Sequence, residues 1–329
     1  MKGDDRMPPK PPKLPLEETQ PIQKRIQTVL TANWIFVGLT FALSFVLAFA
    51  QAFGAEFLSV LFGYNGLTWM VLTLGSPICM LLTTILSSSL TLSYARMQTG
   101  ESAFSELKKT RFQPKWVLYG ISGGALAALL LNFVLLFIQW LTHVDIPEAA
   151  LDLTPTQPLA AFVMFIASVI AAPICEELVF RGTICRQLAR TNKGFAVIFS
   201  ALLFAMAHMN FDQGLPVLGL GLVYGFVYIR SGSIWVPILC HMFNNLYAFI
   251  VTLLSSMGLW SITGTLSTIY MWLCMSGSLL LIMEGREIQA ANRMCLKAKT
   301  EWKAVGTNVS FWVLVSAFIA CSCAVVFFV

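Results

Sequence analysis

The sequence predicts an all-α protein, a polytopic bundle of eight or nine transmembrane helices, and three observations carry that expectation. Of its 329 residues, 57% are hydrophobic and 11% charged, with a mean hydropathy of +0.76, well outside the composition of soluble globular domains. Apolar runs recur at close to the roughly 20 helical residues that a ~30 Å hydrocarbon layer demands. The 21 Lys and Arg residues collect on alternate connections between those runs, as the positive-inside rule requires.

Taken in order, residues 1–30 contain the Pro-rich run PPKPPKLP and few large apolar side chains, the composition of a disordered tail. The first apolar run starts too far along to follow the short n-region of a cleaved signal peptide, and reads as a signal anchor. Runs near 34–53, 68–93 and 116–140 make up an N-terminal transmembrane region over 31–157, with a charged connection at 97–115. A core over 158–255 holds runs near 158–181, 195–210, 215–230 and 233–255, the second and third of them short. The C-terminal region, 256–329, adds runs near 260–283 and 308–329, joined by a charged helical segment at 284–306.

Basic residues in the tail (Lys2, Arg6, Lys10, Lys13, Lys24, Arg25), at 96–115, after the fourth run (Arg181, Arg186, Arg190, Lys193), at Arg230 and at 286–303 share one side. The connections near 54–67, 141–157, 209–214 and 256–259 carry no Lys or Arg. This places the N-terminus in the cytoplasm of a multi-pass protein, and the short loops suggest a bacterial cell membrane. Topology also accounts for the net charge of +5, which is therefore no argument for a nucleic-acid partner; membrane lipids are the expected surroundings. The eight cysteines lie in or beside apolar runs without a CxxC pair and read as small packing residues. Gly221 and Gly225 form a GxxxG, with Gly219 on the same expected contact; Gly120, Gly123 and Gly124 suggest another close helix crossing.

Ionisable groups inside a membrane span cost several kcal/mol on conservative insertion scales (about 2.5–3.5), so they persist mainly where they do chemistry, transport or tight pairing. The core concentrates them. Glu177 and Arg181 are four residues apart, as are Phe204 and His208, and His241 and Asn245, a spacing that puts each pair on one helical face. Glu176 and His208 are each 16 residues from Asn192, so a hairpin turning there would bring them level. A second turn near Arg230–Ser233 would put His241 at a similar depth, in a site on the cytoplasmic side that opens inward. Arg181 can hold Glu177 ionised, while Glu176, about 100° away on the wheel, is free to take a proton from water. His208 can orient that water, and His241 with Asn245 can donate to an oxyanion.

The ordered patterns EExxxR (Glu176–Arg181), FxxxH (Phe204–His208) and HxxxN (His241–Asn245) resemble those of the CPBP (Abi) family of intramembrane proteases, which includes CAAX endopeptidases. The resemblance implies a four-helix catalytic core acting on a peptide or lipidated protein. Glu176 and His208 would activate water, His241 and Asn245 would bind the oxyanion, and Glu177 and Arg181 would support the architecture. The family is described both as metalloprotease and as metal-free glutamate protease; if zinc is used, Glu176, His208 and His241 are the candidate ligands, three being the number a catalytic zinc needs. Other intramembrane protease classes lack their residues: there is no HExxH, and all five aspartates lie outside the apolar runs. The alternatives from other classes are a catalytically silent relative acting as immunity factor or regulatory scaffold, and a transporter, for which no broken-helix repeat is visible.

Overall fold

The computed structural model describes residues 21–64, 66–109, 114–144, 146, 157–283 and 285–328. Residues 1–20 of the expected tail and most of the 141–157 connection lie outside them. Among the described residues the chain is entirely helical, and seven helices are long and apolar enough to cross a membrane. The protein is a multi-pass helical membrane protein.

Helices α1 (Ile22–Phe62) and α2 (Gly66–Thr99) form a long hairpin. The tail expected over 1–30 is shorter than that, because α1 already begins at Ile22. Ile22, Ile26, Val29 and Leu30 repeat at helical spacing, and the last three are fully buried; packing of one apolar stripe overrides the polar composition around it. A short 3-10 helix, Ala103–Lys108, leads to α3 (Pro114–Thr142).

The next span is one continuous rod of changing pitch. It runs through α4 (Pro158–Phe165), a π-helical turn (Ile166–Ala171), α5 (Ala172–Val179), a second π-turn (Phe180–Cys185) and α6 (Arg186–Ala189). Pro173, near the start of α5, explains the first π-turn. In a regular α-helix its ring would press on the carbonyl four residues back, and widening the turn relieves that clash.

Asn192 then caps α7 (Lys193–Met206), its Oδ1 accepting from the Phe195 N–H at 3.0 Å. α7 has 14 residues, a rise of ~21 Å, and stops four residues short of the expected run. Asn210 ends it by capping α8 (Phe211–Ser231), accepting from the Gln213 N–H at 2.7 Å. The linking turn forces Met209 to a φ of 54°. Gly232, at φ 66°, closes α8 with its N–H on the Tyr228 carbonyl at 2.9 Å, the αL stop expected near 230–233. α9 (Trp235–Ser256) and α10 (Trp260–Met283) follow. Two helices, α11 (Gly285–Leu296) and α12 (Lys299–Gly306), replace the single one expected before α13 (Val309–Phe328).

Small residues set the crossings. A Cβ on Gly221 would meet Ala201 at 3.1 Å and one on Gly225 would meet Val197 at 3.3 Å, so the GxxxG faces α7. Gly219 faces α3 instead, where a Cβ would lie 2.7 Å from the Ala127 backbone. Gly120 leaves room for the Cys240 thiol, which a Cβ would approach to 2.4 Å.

Candidate active site

Four elements, α5, the α7–α8 turn, α8 and α9, meet around Glu176 and Glu177. Glu177 Oε1 takes Arg181 Nη1 at 3.0 Å, and both side chains are 0% exposed. The second arm of Arg181 donates from Nη2 to the Gly221 carbonyl at 3.1 Å, and its guanidinium lies over Phe204 at 4.6 Å. Gly221 is thus used twice, for close approach to α7 and for an accessible carbonyl. A buried ion pair holds only when further hydrogen bonds and ring faces offset its desolvation; the Gly221 carbonyl and the Phe204 ring supply part of that here, while Glu177 Oε2 and Arg181 Nε have no hydrogen-bond partner among the described residues.

The same carboxylate oxygen accepts from His241 Nδ1 at 3.0 Å, while His241 Nε2 stands 3.9 Å from Glu176 Oε2. The imidazole is therefore strung between the two glutamates. The longer separation exceeds a direct hydrogen bond. Phe204 and Tyr224 clamp the ring, with centroids 5.8 and 5.7 Å away. Glu176, at 19% side-chain exposure, is the carboxylate that solvent or substrate can reach.

His208 is not on the helix with Phe204 but in the turn after it. Its Nδ1 sits 3.0 Å from the Phe204 carbonyl, so Nδ1 carries the proton and Nε2 keeps its lone pair. The ring interacts electrostatically with Glu176 and His241. Asn245, one turn beyond His241, donates from Nδ2 to the Ser168 carbonyl at 2.8 Å. One of its two N–H groups is therefore committed to the backbone of the first π-turn across the interface. The six residues singled out in the sequence all lie in this one region.

The three candidate zinc ligands do not come together in the same way. Among the described residues, no three His, Cys, Asp or Glu side chains are arranged to hold a metal ion. The Nδ1 of His241 is taken by Glu177, which leaves Nε2, 3.9 Å from Glu176 Oε2, as its one remaining ligand atom. As placed, the set does not fit zinc.

The expected inward opening also differs. Toward the Lys- and Arg-bearing end, Phe180, Ile184, Cys185 and Leu188 are all 0% exposed. That end is crossed by the α2–α3 connection. Arg186 bridges Glu101 at 2.7 Å and Glu106 at 2.8 Å, and Arg190 pairs with Glu101. Tyr228 donates to Glu106 at 3.2 Å, and the Trp235 indole N–H donates to the Leu107 carbonyl at 2.9 Å. Burial by itself would raise the Glu106 carboxyl, but hydrogen bonds from Lys109 and Arg186 outweigh it and hold the group below its ordinary value. The partly exposed neighbours of Glu176, among them Ala207, His208 and Asn245, lie on the other side.

Sequence reasoning missed Tyr224, Ser168, Asn244, Tyr270 and the acidic pair Glu101 and Glu106, and saw Gly221 as a packing residue without its carbonyl contact to Arg181. Of those missed, only the acidic pair carried a signal, two acids in an otherwise basic connection.

The fold and site define a class: a polytopic helical membrane protein with a carboxylate–imidazole centre inside the bundle. Residues 158–247 match the family model described as type II CAAX prenyl endopeptidase, Rce1-like. The chain is 36% identical over 107 residues to "Putative membrane peptidase YdiL" of Bacillus subtilis (strain 168), covering 32% of this chain and 42% of that one. It is 29% identical over 163 residues to the membrane-embedded CAAX protease MroQ of Staphylococcus aureus (strain USA300), covering 47% and 64%. The UPF0177 protein YvdC of Lactococcus lactis is 24% identical over 255 residues, covering 70% and 97%. The chain thus spans about half the length of the first two relatives. No solved structure matches. The core over 158–247 is thus similar to Rce1-like membrane proteins, in line with the resemblance carried by its three motifs.

Proposed function

We propose that the protein is an intramembrane endopeptidase that hydrolyses a peptide bond of a membrane-associated peptide or lipidated protein, with Glu176 as general base. The observation that supports this most is the division of labour between adjacent glutamates: Glu177 is fully buried on Arg181, while Glu176 is partly exposed and faces the same imidazole.

A water between Glu176 and the lone pair of His208 Nε2 loses a proton to Glu176 as its oxygen bonds to the scissile carbonyl carbon. The carbonyl π electrons move to oxygen, and this oxyanion accepts hydrogen bonds from His241 Nε2–H and the remaining Asn245 N–H. An Nε2 donor requires the doubly protonated ring, whose charge the Glu177 carboxylate on Nδ1 compensates. Glu176 then returns its proton to the departing amine as the C–N bond breaks. No step is assigned to a metal.

The test is Glu176→Gln, which keeps shape and removes the base. With purified protein in liposomes and quenched peptides ending in a CAAX sequence, farnesylated and unmodified, the substitution should lower cleavage by about 10²–10⁴-fold without lowering the melting temperature. If the native protein cleaves neither peptide, the silent-scaffold reading replaces this one. Equal cleavage by both forms would remove Glu176 from the base role.

A further inference from the structure

We propose that Pro173 is a positioning residue: by withholding a backbone N–H it leaves the Ser168 carbonyl open for Asn245, and so fixes the Asn245 carboxamide with its nitrogen as donor. This rests on the oxyanion role given above to Asn245.

The register of the first π-turn carries the argument. The Ala172 N–H bonds to the Ala167 carbonyl, five residues back. The next bond of that ladder would run from residue 173 to Ser168, but residue 173 is proline and has no N–H. The following donor, Ile174, reaches Val169 in π register and Ile170 in α register, past Ser168 in both. Ser168 therefore presents a buried carbonyl with no helical donor, a costly state unless something supplies one. Its own hydroxyl cannot, being bonded to the Met164 carbonyl at 2.8 Å. Asn245 Nδ2 fills the place at 2.8 Å from across the interface.

The other end of the carboxamide is held as well. Asn244 Nδ2 approaches Asn245 Oδ1 at 3.5 Å, and Asn244 Oδ1 accepts from the Tyr270 hydroxyl at 3.1 Å. Tyr270 is stacked on Tyr247 with centroids 3.8 Å apart. A flipped amide would set two oxygens against each other at Ser168 and two N–H groups against each other at Asn244. One N–H of Asn245 is left over, one helical turn from His241. Proline at 173 and tyrosine at 270 thus act on the chemistry only through Asn245.

The experiment has two arms on the full-length protein. In the first, the side-chain amide of Asn245 is observed by NMR with asparagine-specific ¹⁵N labelling and assigned by its loss in Asn245→Asp. Pro173→Ala supplies the missing N–H, so the amide should shift and lose at least about tenfold of its exchange protection, the size of one hydrogen bond. In the second, cleavage of the quenched farnesylated peptide should show a fall in kcat of about tenfold at unchanged KM for Pro173→Ala, and no further fall when it is added to Asn245→Ala. Tyr270→Phe should move the same amide with a smaller loss of kcat, and it serves if Pro173→Ala does not fold. An unmoved amide in the folded variant, or rate losses that multiply in the double variant, would overturn the proposal. Failure of the endopeptidase reading shows separately, as full cleavage by Glu176→Gln, and leaves the NMR arm intact.

Discussion

The two halves of the core differ in what reaches them. Between the glutamates and the basic end, Phe180, Ile184, Leu188, Phe195 and Phe199 are 0% exposed, and the connection over 101–109 is tied across that end by Arg186 and Arg190. On the other side of Glu176, the same four helices carry partly exposed residues, with polar side chains at His208, Asn210, Asp212 and Gln213 in and after a tight turn. Glu177 and Glu176 are neighbours in sequence and fall on opposite sides of this boundary. One α-helical step of about 100° separates a charge that holds the bundle together from one available for proton transfer.

Substitutions on the two sides should therefore fail in different ways. Arg181→Leu strands the Glu177 carboxylate in the dry half, at a cost of about 3–5 kcal/mol. Thermal unfolding in detergent should show the loss whether or not substrate is present. Unchanged melting would mean that water reaches this half after all. His208→Ala, in the open half, should reduce peptide cleavage by about 10²–10⁴-fold while costing stability only about 1 kcal/mol, the hydrogen bond to the Phe204 carbonyl. A variant that unfolds as readily as Arg181→Leu would erase the distinction.

The tie at the basic end offers a gentler probe. Glu106 has a folded value below its unfolded one, so the stability it contributes is complete above the unfolded value and is lost as pH falls through the folded one. The melting difference between the native protein and Glu106→Gln should hold near neutral pH, begin to shrink as pH falls into the ordinary carboxylate range and close below the folded value. A difference that instead grew with acid would reverse the assignment. The smallest effect is expected from metal removal. Since the three candidate ligands do not form a metal-holding set, a strong chelator should leave cleavage within about twofold, a smaller change than the loss of a single hydrogen bond brings. Loss restored by added zinc would show that the open half rearranges around an ion.

Much of this was legible beforehand because membrane proteins obey few constraints. The runs expected at 68–93, 116–140, 233–255 and 260–283 match α2, α3, α9 and α10 to within a few residues at most ends. The counting argument from Asn192 brought Glu176 and His208 to one level. His208 sits in a turn rather than on α7, because Asn210 caps α8 and a capped start ends the preceding helix. Phe204 and His208 still meet, their ring centroids 5.2 Å apart. Gly219 was grouped with Gly221 and Gly225 on one contact, but it faces α3 while they face α7, since the sequence carries no signal that distinguishes one neighbouring helix from another. The opening of the site was misread from basic residues, which mark a side of the membrane and say nothing about where the interior is filled.

The sequence by itself determined the helices, their alternation across the bilayer and the set of six polar side chains, because hydrophobic length, charge placement and the expense of buried ionisable groups are properties of short stretches of chain. Only the tertiary structure decided that the Glu177–Arg181 pair is fully buried, that His241 hangs between the two glutamates, and that a proline in one helix leaves a carbonyl for an asparagine in another. Those outcomes depend on which faces meet across helix interfaces. There a shift of a single residue turns a side chain by about 100° and exchanges its partners.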